Sequence, residues 1–175
     1  RQRQMCIRDS GISSLWGADQ NSIGVDEYNF NLPKFKNGAR LLFQGDSITD
    51  MKWGRNQKDR NHYLGHSYVF LLASRLGVDM AEANLEFFNR GVSGNKVSDL
   101  RKRWEKDAIE MNPDWLTVLI GVNDVSQGRG QPVDLKKWEQ DYRHILNESR
   151  KANPKLQIVL MLSLIHISEP TRPLY

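Results

Sequence analysis

Three short polar clusters hold the residues whose types are able to do chemistry: Gly45-Asp46-Ser47-Ile48-Thr49-Asp50, Asn89-Arg90-Gly91-Val92-Ser93-Gly94-Asn95 and Gly121-Val122-Asn123-Asp124. A serine hydroxyl is a weak nucleophile that works beside a general base, normally a histidine oriented by a carboxylate. The tetrahedral intermediate of acyl transfer needs a few donors converging on one oxygen, each worth typically ~3 kcal/mol. Glycine lets a backbone N–H approach closely because no Cβ stands in the way, and an asparagine amide is a neutral donor. Taken singly, each cluster is also what a strand-terminal turn looks like, since Gly, Asp and Asn are ordinary turn residues. Their occurrence in this order, after three successive strand candidates, is a sharper signal.

The elements that must position the clusters follow from hydrophobic patterning. Arg40–Gln44 is a short apolar run closed by Gly45, Leu85–Phe88 is the next, Trp115–Ile120 is fully apolar, and Gln157–Met161 starts a fourth after Pro154. Residues 51–64 are polar and read as a long loop. Ser67–Leu76 is apolar almost all round, and Gly77 is expected to cap its C-terminus. Val97, Leu100, Trp104, Ala108 and Met111 recur at spacings of three and four, which predicts a helix with one apolar face. The charges of Arg101-Lys102-Arg103, flanked by Asp99 and Glu105, read as a solvated face of that helix. A glycine-rich loop from Gly128 to Pro132 leads to a third helix with Leu135, Trp138, Tyr142, Ile145 and Leu146 on one side. Strands apolar on both faces and alternating with helices predict a parallel sheet covered on each side, a three-layer α/β/α sandwich cut off after about four strands. In such a sheet function gathers at the carboxyl ends of the strands, where the three clusters fall.

With these blocks the chain resembles the GDSL/SGNH hydrolase family, in particular its carbohydrate acetylesterase-like members. The likeness covers about residues 38–161 and includes the loop Tyr63-Leu64-Gly65-His66-Ser67-Tyr68. The first cluster matches the family's nucleophile block, with Ile48 where Leu is common; the second matches the glycine block at Gly94, and the third the GxND block at Asn123. The resemblance implies the SGNH hydrolase fold with its flavodoxin-like sheet and an ester substrate, either a small molecule or a carbohydrate. It further implies Ser47 as nucleophile, with the Ser47 and Gly94 backbone N–H groups and the Asn123 side-chain amide as oxyanion donors. Asp46 and Asp124 are expected to brace their loops by hydrogen bonds; Asp46 is a poor base for Ser47 because adjacent side chains diverge.

In that family the base and its carboxylate stand in a C-terminal Asp-x-x-His block. Asp141-Tyr142-Arg143-His144 fits the pattern literally but lies in the helix directly after the third strand, too early for the block. At about 100° per residue, His144 also falls about 180° from Leu135, which directs it to solvent. His62 and His66 lie in or beside the loop after Ser47, where a rim or structural role is the plainer reading; His66 is the candidate for substrate contact. The base and its aspartate are therefore expected outside this chain, leaving the 175-residue chain with little or no activity. Trp16, Trp53 and Tyr63 have rings that suit a sugar, although scattered aromatics are more often packing residues.

Composition narrows the remaining classes. The 175 residues are 39% hydrophobic and 26% charged, which suits one packed domain. Mean hydropathy is −0.61, and no apolar run approaches the ~18 residues of a membrane span. The 25 basic and 21 acidic residues give +4 and a pI of about 9.2, but the basic residues are spread out, so no nucleic-acid stripe is expected. The single Cys6 excludes an internal disulfide framework and a multi-Cys zinc site, and no metal cluster or cofactor is expected. Arg1–Ser10 and Leu162–Tyr175 resemble translated sequencing-adapter sequence and are expected not to be native. That divides the chain into 1–37, an adapter-like end and irregular lead-in; 38–161, an incomplete SGNH domain; and 162–175, a non-native tail. Ile12–Ala18 resembles the last part of a signal peptide, although Trp16 fits the small-residue cleavage rule poorly; a secreted or periplasmic location is the expectation. Two other functions remain open. One is a non-catalytic carbohydrate-binding or accessory domain that keeps the shell. The other, a nucleotide-binding flavodoxin-like protein, ranks last because no glycine-rich loop has Walker or dinucleotide spacing.

Overall fold

The computed structural model describes residues 34–55, 58, 62–126 and 133–161. The chain divides into two units, Arg1–Lys34 and Phe35–Tyr175, and the described fold belongs to the second. The adapter-like ends, Trp16 and the loop Gly128–Pro132 lie outside the described residues.

Four parallel strands, β1 (Arg40–Gly45), β2 (Glu86–Asn89), β3 (Trp115–Leu119) and β4 (Gln157–Leu160), form one sheet in the order β2-β1-β3-β4. Leu42 stands opposite Phe88 on one side and Leu116 on the other, and Leu116 opposite Ile158. Because successive strand residues face opposite ways, Leu42, Leu116 and Val118 share one face. There they meet Val97, Leu100 and Trp104 of α3 (Val97–Trp104), Ala108 beyond it, Ile145 of α5 (Leu135–Ala152), and Leu156. The indole N–H of buried Trp104 donates to Ser149 Oγ at 2.9 Å, which donates in turn to the Ile145 carbonyl at 2.7 Å. The large side chain is thereby buried with its polar atom satisfied. On the other face Phe43 meets Tyr68 of α2 (Tyr68–Asp79) edge-on, with ring centroids 6.0 Å apart. The result is the three-layer parallel α/β/α arrangement read from the sequence.

Three local expectations need correction. Gly77 does not end α2; the helix runs through it to Asp79 and closes where the Met80 N–H donates to the Leu76 carbonyl, because a glycine terminates a helix only where the chain turns left-handed. Leu135 is not on the core side of α5. It is 70% exposed at the first residue of the helix, and the buried positions are Asp141, Ile145 and Ser149. The basic run in α3 is a solvated face only in part. Arg101 and Lys102 are exposed, Arg101 also reaching the buried Asp141 carboxylate at 2.5 Å, whereas Arg103 turns inward to Asn95 Oδ1, the Arg90 carbonyl and Asp107. After Trp104 the helix widens into a π-helical turn, Glu105–Ile109, which keeps Ala108 in the core.

Candidate active site

β1 delivers its last residue, Gly45, to the carboxyl edge of the sheet, and a single helical turn, α1 (Ser47–Asp50), starts at once. Space dictates that glycine: a Cβ there would overlap Thr49 Oγ1 and the Leu119 carbonyl. Asp46 caps the turn, its carboxylate accepting the Ile48 N–H at 3.0 Å, which is the bracing role expected of it. Burial holds the Asp46 carboxyl above the ordinary carboxylate range, and the Ile48 bond offsets only part of that. Ser47, first residue of the turn, is exposed.

Past β2 the chain runs along the end of β1, with the Arg90 N–H on the Phe43 carbonyl and the Val92 N–H on the Gly45 carbonyl. Gly91 passes so close to α1 that a Cβ would overlap the Asp50 nitrogen and the Thr49 carbonyl carbon. Gly94 lies further along this loop at φ +81°, a conformation open to glycine and strained for most other residues. Past β3, α4 (Val122–Ser126) carries Asn123 in its first turn. Asp124 accepts the Val97 N–H at 3.2 Å and so ties α4 to the start of α3. Burial raises the Asp124 carboxyl, partly countered by that bond.

Ser47, Gly94 and Asn123 thus sit in the loops that leave three adjacent strands, with β1 in the centre. Hydrogen bonds join the loops on either side of Gly94. Preceding it, Ser93 donates its N–H at 2.8 Å and its Oγ–H at 2.6 Å to Asp50 Oδ2. Following it, the Asn95 carbonyl accepts from Asn123 Nδ2 at 3.1 Å. His66 is exposed; its N–H donates to the Met51 carbonyl at 3.0 Å, and its ring lies 5.9 Å from that of His62. His144 is exposed on α5, while Asp141 is buried against Arg101 and Lys137, whose hydrogen bonds hold its carboxyl below the ordinary range. Trp53 is a packing residue. It is 6% exposed, its indole N–H bonded to the Gly91 carbonyl at 2.7 Å, whereas Tyr63 is 37% exposed.

Sequence reading assigned no role to four braces of the site. Asn89, wholly buried, donates to the Thr49 and Leu64 carbonyls at 2.7 and 2.8 Å and accepts the Gly91 N–H at 2.9 Å. Asp50 holds Ser93 and Arg55; burial pushes its carboxyl up, but the Arg55 and Ser93 hydrogen bonds outweigh that and leave it lowered. Arg55 also donates to the Gly91 carbonyl at 3.0 Å, and Arg103 reaches Asn95. The available signal was membership of the polar clusters for Asp50 and Asn89, and none for the arginines.

A parallel sheet with a Gly-Asp-Ser turn on its central strand and a Gly-x-Asn-Asp turn on the next is the architecture of GDSL/SGNH α/β hydrolases. The chain belongs to the GDSL-like lipase/acylhydrolase family, whose model matches residues 43–174. It is 33% identical to an acetylxylan esterase of Geobacillus stearothermophilus over 141 residues, 77% of this chain and 63% of that one. Among solved structures, a GDSL-like protein of Parabacteroides merdae superimposes with a TM-score of 0.68 at 39% identity, covering 73% of this chain and 60% of that one. A catalytic serine variant of the Geobacillus stearothermophilus acetylxylan esterase gives 0.66 at 35% identity, covering 74% and 61%. Other catalytic variants of that esterase replace an aspartate and a histidine three positions apart, the aspartate standing 176 positions after the serine. The chain spans about three fifths of the length of these relatives. No helix among the described residues is long and apolar enough to cross a membrane.

Proposed function

We propose that the protein is a serine ester hydrolase that removes acetyl groups from carbohydrates, with Ser47 as nucleophile and the N–H groups of Ser47 and Gly94 and the Asn123 amide as the oxyanion hole. The observation that carries this reading is the lacing of the three loops on either side of Gly94, from Asp50 to Ser93 and from Asn123 to Asn95. In the reaction Ser47 Oγ bonds to the acetyl carbon as a base takes the hydroxyl proton. The carbonyl oxygen becomes an oxyanion held by the three donors. The intermediate then collapses, breaking the bond to the sugar oxygen, which leaves with the proton from the base; water repeats the sequence and frees acetate. Preorganised donors of this kind are each worth about 10²–10³ in rate.

The base of this reading is a downstream Asp-x-x-His block and not Asp141 and His144. Asp141 follows Ser47 by 94 positions, far short of the separation in the acetylxylan esterase, and its carboxylate is engaged by Arg101 and Lys137. His66, at the rim, is the proposed contact to the sugar. The deciding experiment compares hydrolysis of 4-nitrophenyl acetate and of acetylated xylo-oligosaccharide by the 175-residue chain and by a chain extended through such a block. The extended chain should hydrolyse both, Ser47→Ala should abolish the activity, and the short chain should retain little or none. An inactive extended chain that still binds the oligosaccharide would establish the accessory-domain reading instead. Equal activity of the two chains, lost in His144→Ala, would make His144 the base.

A further inference from the structure

The hydrogen bonds that hold Gly94 converge on one residue to which the reaction above gives no part. Asp50 closes the same helical turn that Ser47 opens, and its side chain is 1% exposed. A single oxygen, Oδ2, accepts three hydrogen bonds: from the Ser93 N–H at 2.8 Å, from Ser93 Oγ at 2.6 Å and from Arg55 Nη2 at 2.7 Å. Bonds to an ionised acceptor are the strong ones, and burying a carboxylate is tolerable only with such partners. Arg55 supplies the countercharge, and its other nitrogen reaches the Gly91 carbonyl, so both ends of the segment 91–93 are fastened to this ion pair.

Gly94 makes that fastening matter. At φ +81° and without a Cβ, it has few steric limits of its own on the orientation of the peptide that carries its N–H. That peptide begins at Ser93, which Asp50 grips at two points, backbone and side chain. We propose that Asp50 is a positioning residue of the oxyanion hole, its carboxylate orienting the Ser93–Gly94 peptide toward the oxygen that Ser47 creates. It acts through Ser93 and does not touch substrate. Because Ser47 and Asp50 share one turn, the nucleophile and a donor from a different strand are held in a single frame.

This inference rests on the esterase reading, so its test has two separable readouts. The first is amide hydrogen exchange in the isotope-labelled 175-residue chain. Asp50→Asn should speed exchange at Ser93 and Gly94 about tenfold or more while leaving the α3 and α5 amides within about twofold. Ser93→Ala, which keeps the carboxylate but loses one of its bonds, should show the same pattern at smaller size and serves alone if Asp50→Asn fails to fold. Asp141→Asn, another buried ion-paired carboxylate, should leave Ser93 and Gly94 unchanged. The second readout is kinetic, in the extended chain: Asp50→Asn should lower kcat about tenfold or more with KM within about twofold, and Asp50→Glu should recover part of the loss. Unchanged exchange at Ser93 and Gly94 in both variants overturns the proposal, as does a loss confined to KM. An extended chain without esterase activity refutes the functional reading, and the exchange result then judges Asp50 by itself.

Discussion

Across the α3/α5 face the wholly buried side chains are Leu42, Val97, Leu100, Leu116, Val118, Ile145 and Leu156, with Gln44, bonded to the Asp107 carbonyl, as the polar exception; at the carboxyl edge they are Asp46, Thr49, Asp50 and Asn89. The first region coheres through apolar area removed from water, a force without direction that tolerates several side chains of similar volume. The second coheres through hydrogen bonds, each with one geometry, and through glycines whose neighbours leave no room for a Cβ. An interior of the first kind supplies stability. One of the second kind fixes the relative positions of three loops, at the risk that any lost partner strands a buried polar group.

The largest effect expected is therefore in the apolar region. Leu116→Ala opens a cavity in the central layer between β1, α3 and α5 and should cost about 2–5 kcal/mol in urea unfolding. Asn89→Ala should cost less, about 1–3 kcal/mol, but should unfasten Thr49, Leu64 and Gly91 together. Its mark should be faster amide exchange confined to Gly91, α1 and the loop 62–67. If Asn89→Ala proves costlier than Leu116→Ala, the division of labour between the two regions is wrong.

The same division explains what the sequence made legible. Strand and helix positions follow from periodicity because burial of Leu42 or Val118 depends on spacing alone, and the four strand candidates fall within a residue or two of the observed strands. The proposed site residues Ser47, Gly94 and Asn123 stand out through motif alone, and the same periodicity puts them after strands, where the fold has them. The braces were not legible. Nothing in the run Arg101-Lys102-Arg103 says that the first meets a carboxylate 40 positions on, or that the third turns under the loop 90–95. Those contacts are set by how α3 lies against α5 and against β2's loop, which spacing along one helix does not encode.

Within the polar region the two acids of the Ser47 turn should answer pH in opposite senses. The Asp46 carboxyl is raised by burial, so the folded chain holds a proton that the unfolded chain has already lost, and the residue's contribution to stability falls as pH climbs from the ordinary carboxylate value through the raised one. Asp50 is lowered, so its contribution is present above the ordinary value and is lost as pH falls through the lowered one. Between about pH 3 and 7, the stability difference between the unsubstituted chain and Asp46→Asn should shrink with rising pH, while that against Asp50→Asn should grow. Parallel curves for the two variants would place both carboxylates in like surroundings and remove the contrast.

The smallest effect belongs to the residue that the bare pattern Asp141-x-x-His144 makes most tempting. One turn of α5 divides the pair between two environments: Asp141 faces α3 and spends its oxygens on Arg101 and Lys137, whereas His144 is exposed. A base must stand within about 3 Å of the proton it takes, and these two groups belong to a helix whose inward face meets α3 and the apolar layer. His144→Ala should thus change stability by no more than about 0.5 kcal/mol and leave the aryl-acetate activity of the extended chain intact. Asp141→Ala, by contrast, removes a buried carboxylate and leaves Arg101 unpaired. It should lower the unfolding midpoint measurably, and equally whether or not Ser47 is present. A stability effect of Asp141→Ala that disappears in the Ser47→Ala background would couple this helix to Ser47 after all, and would move the base search back to α5.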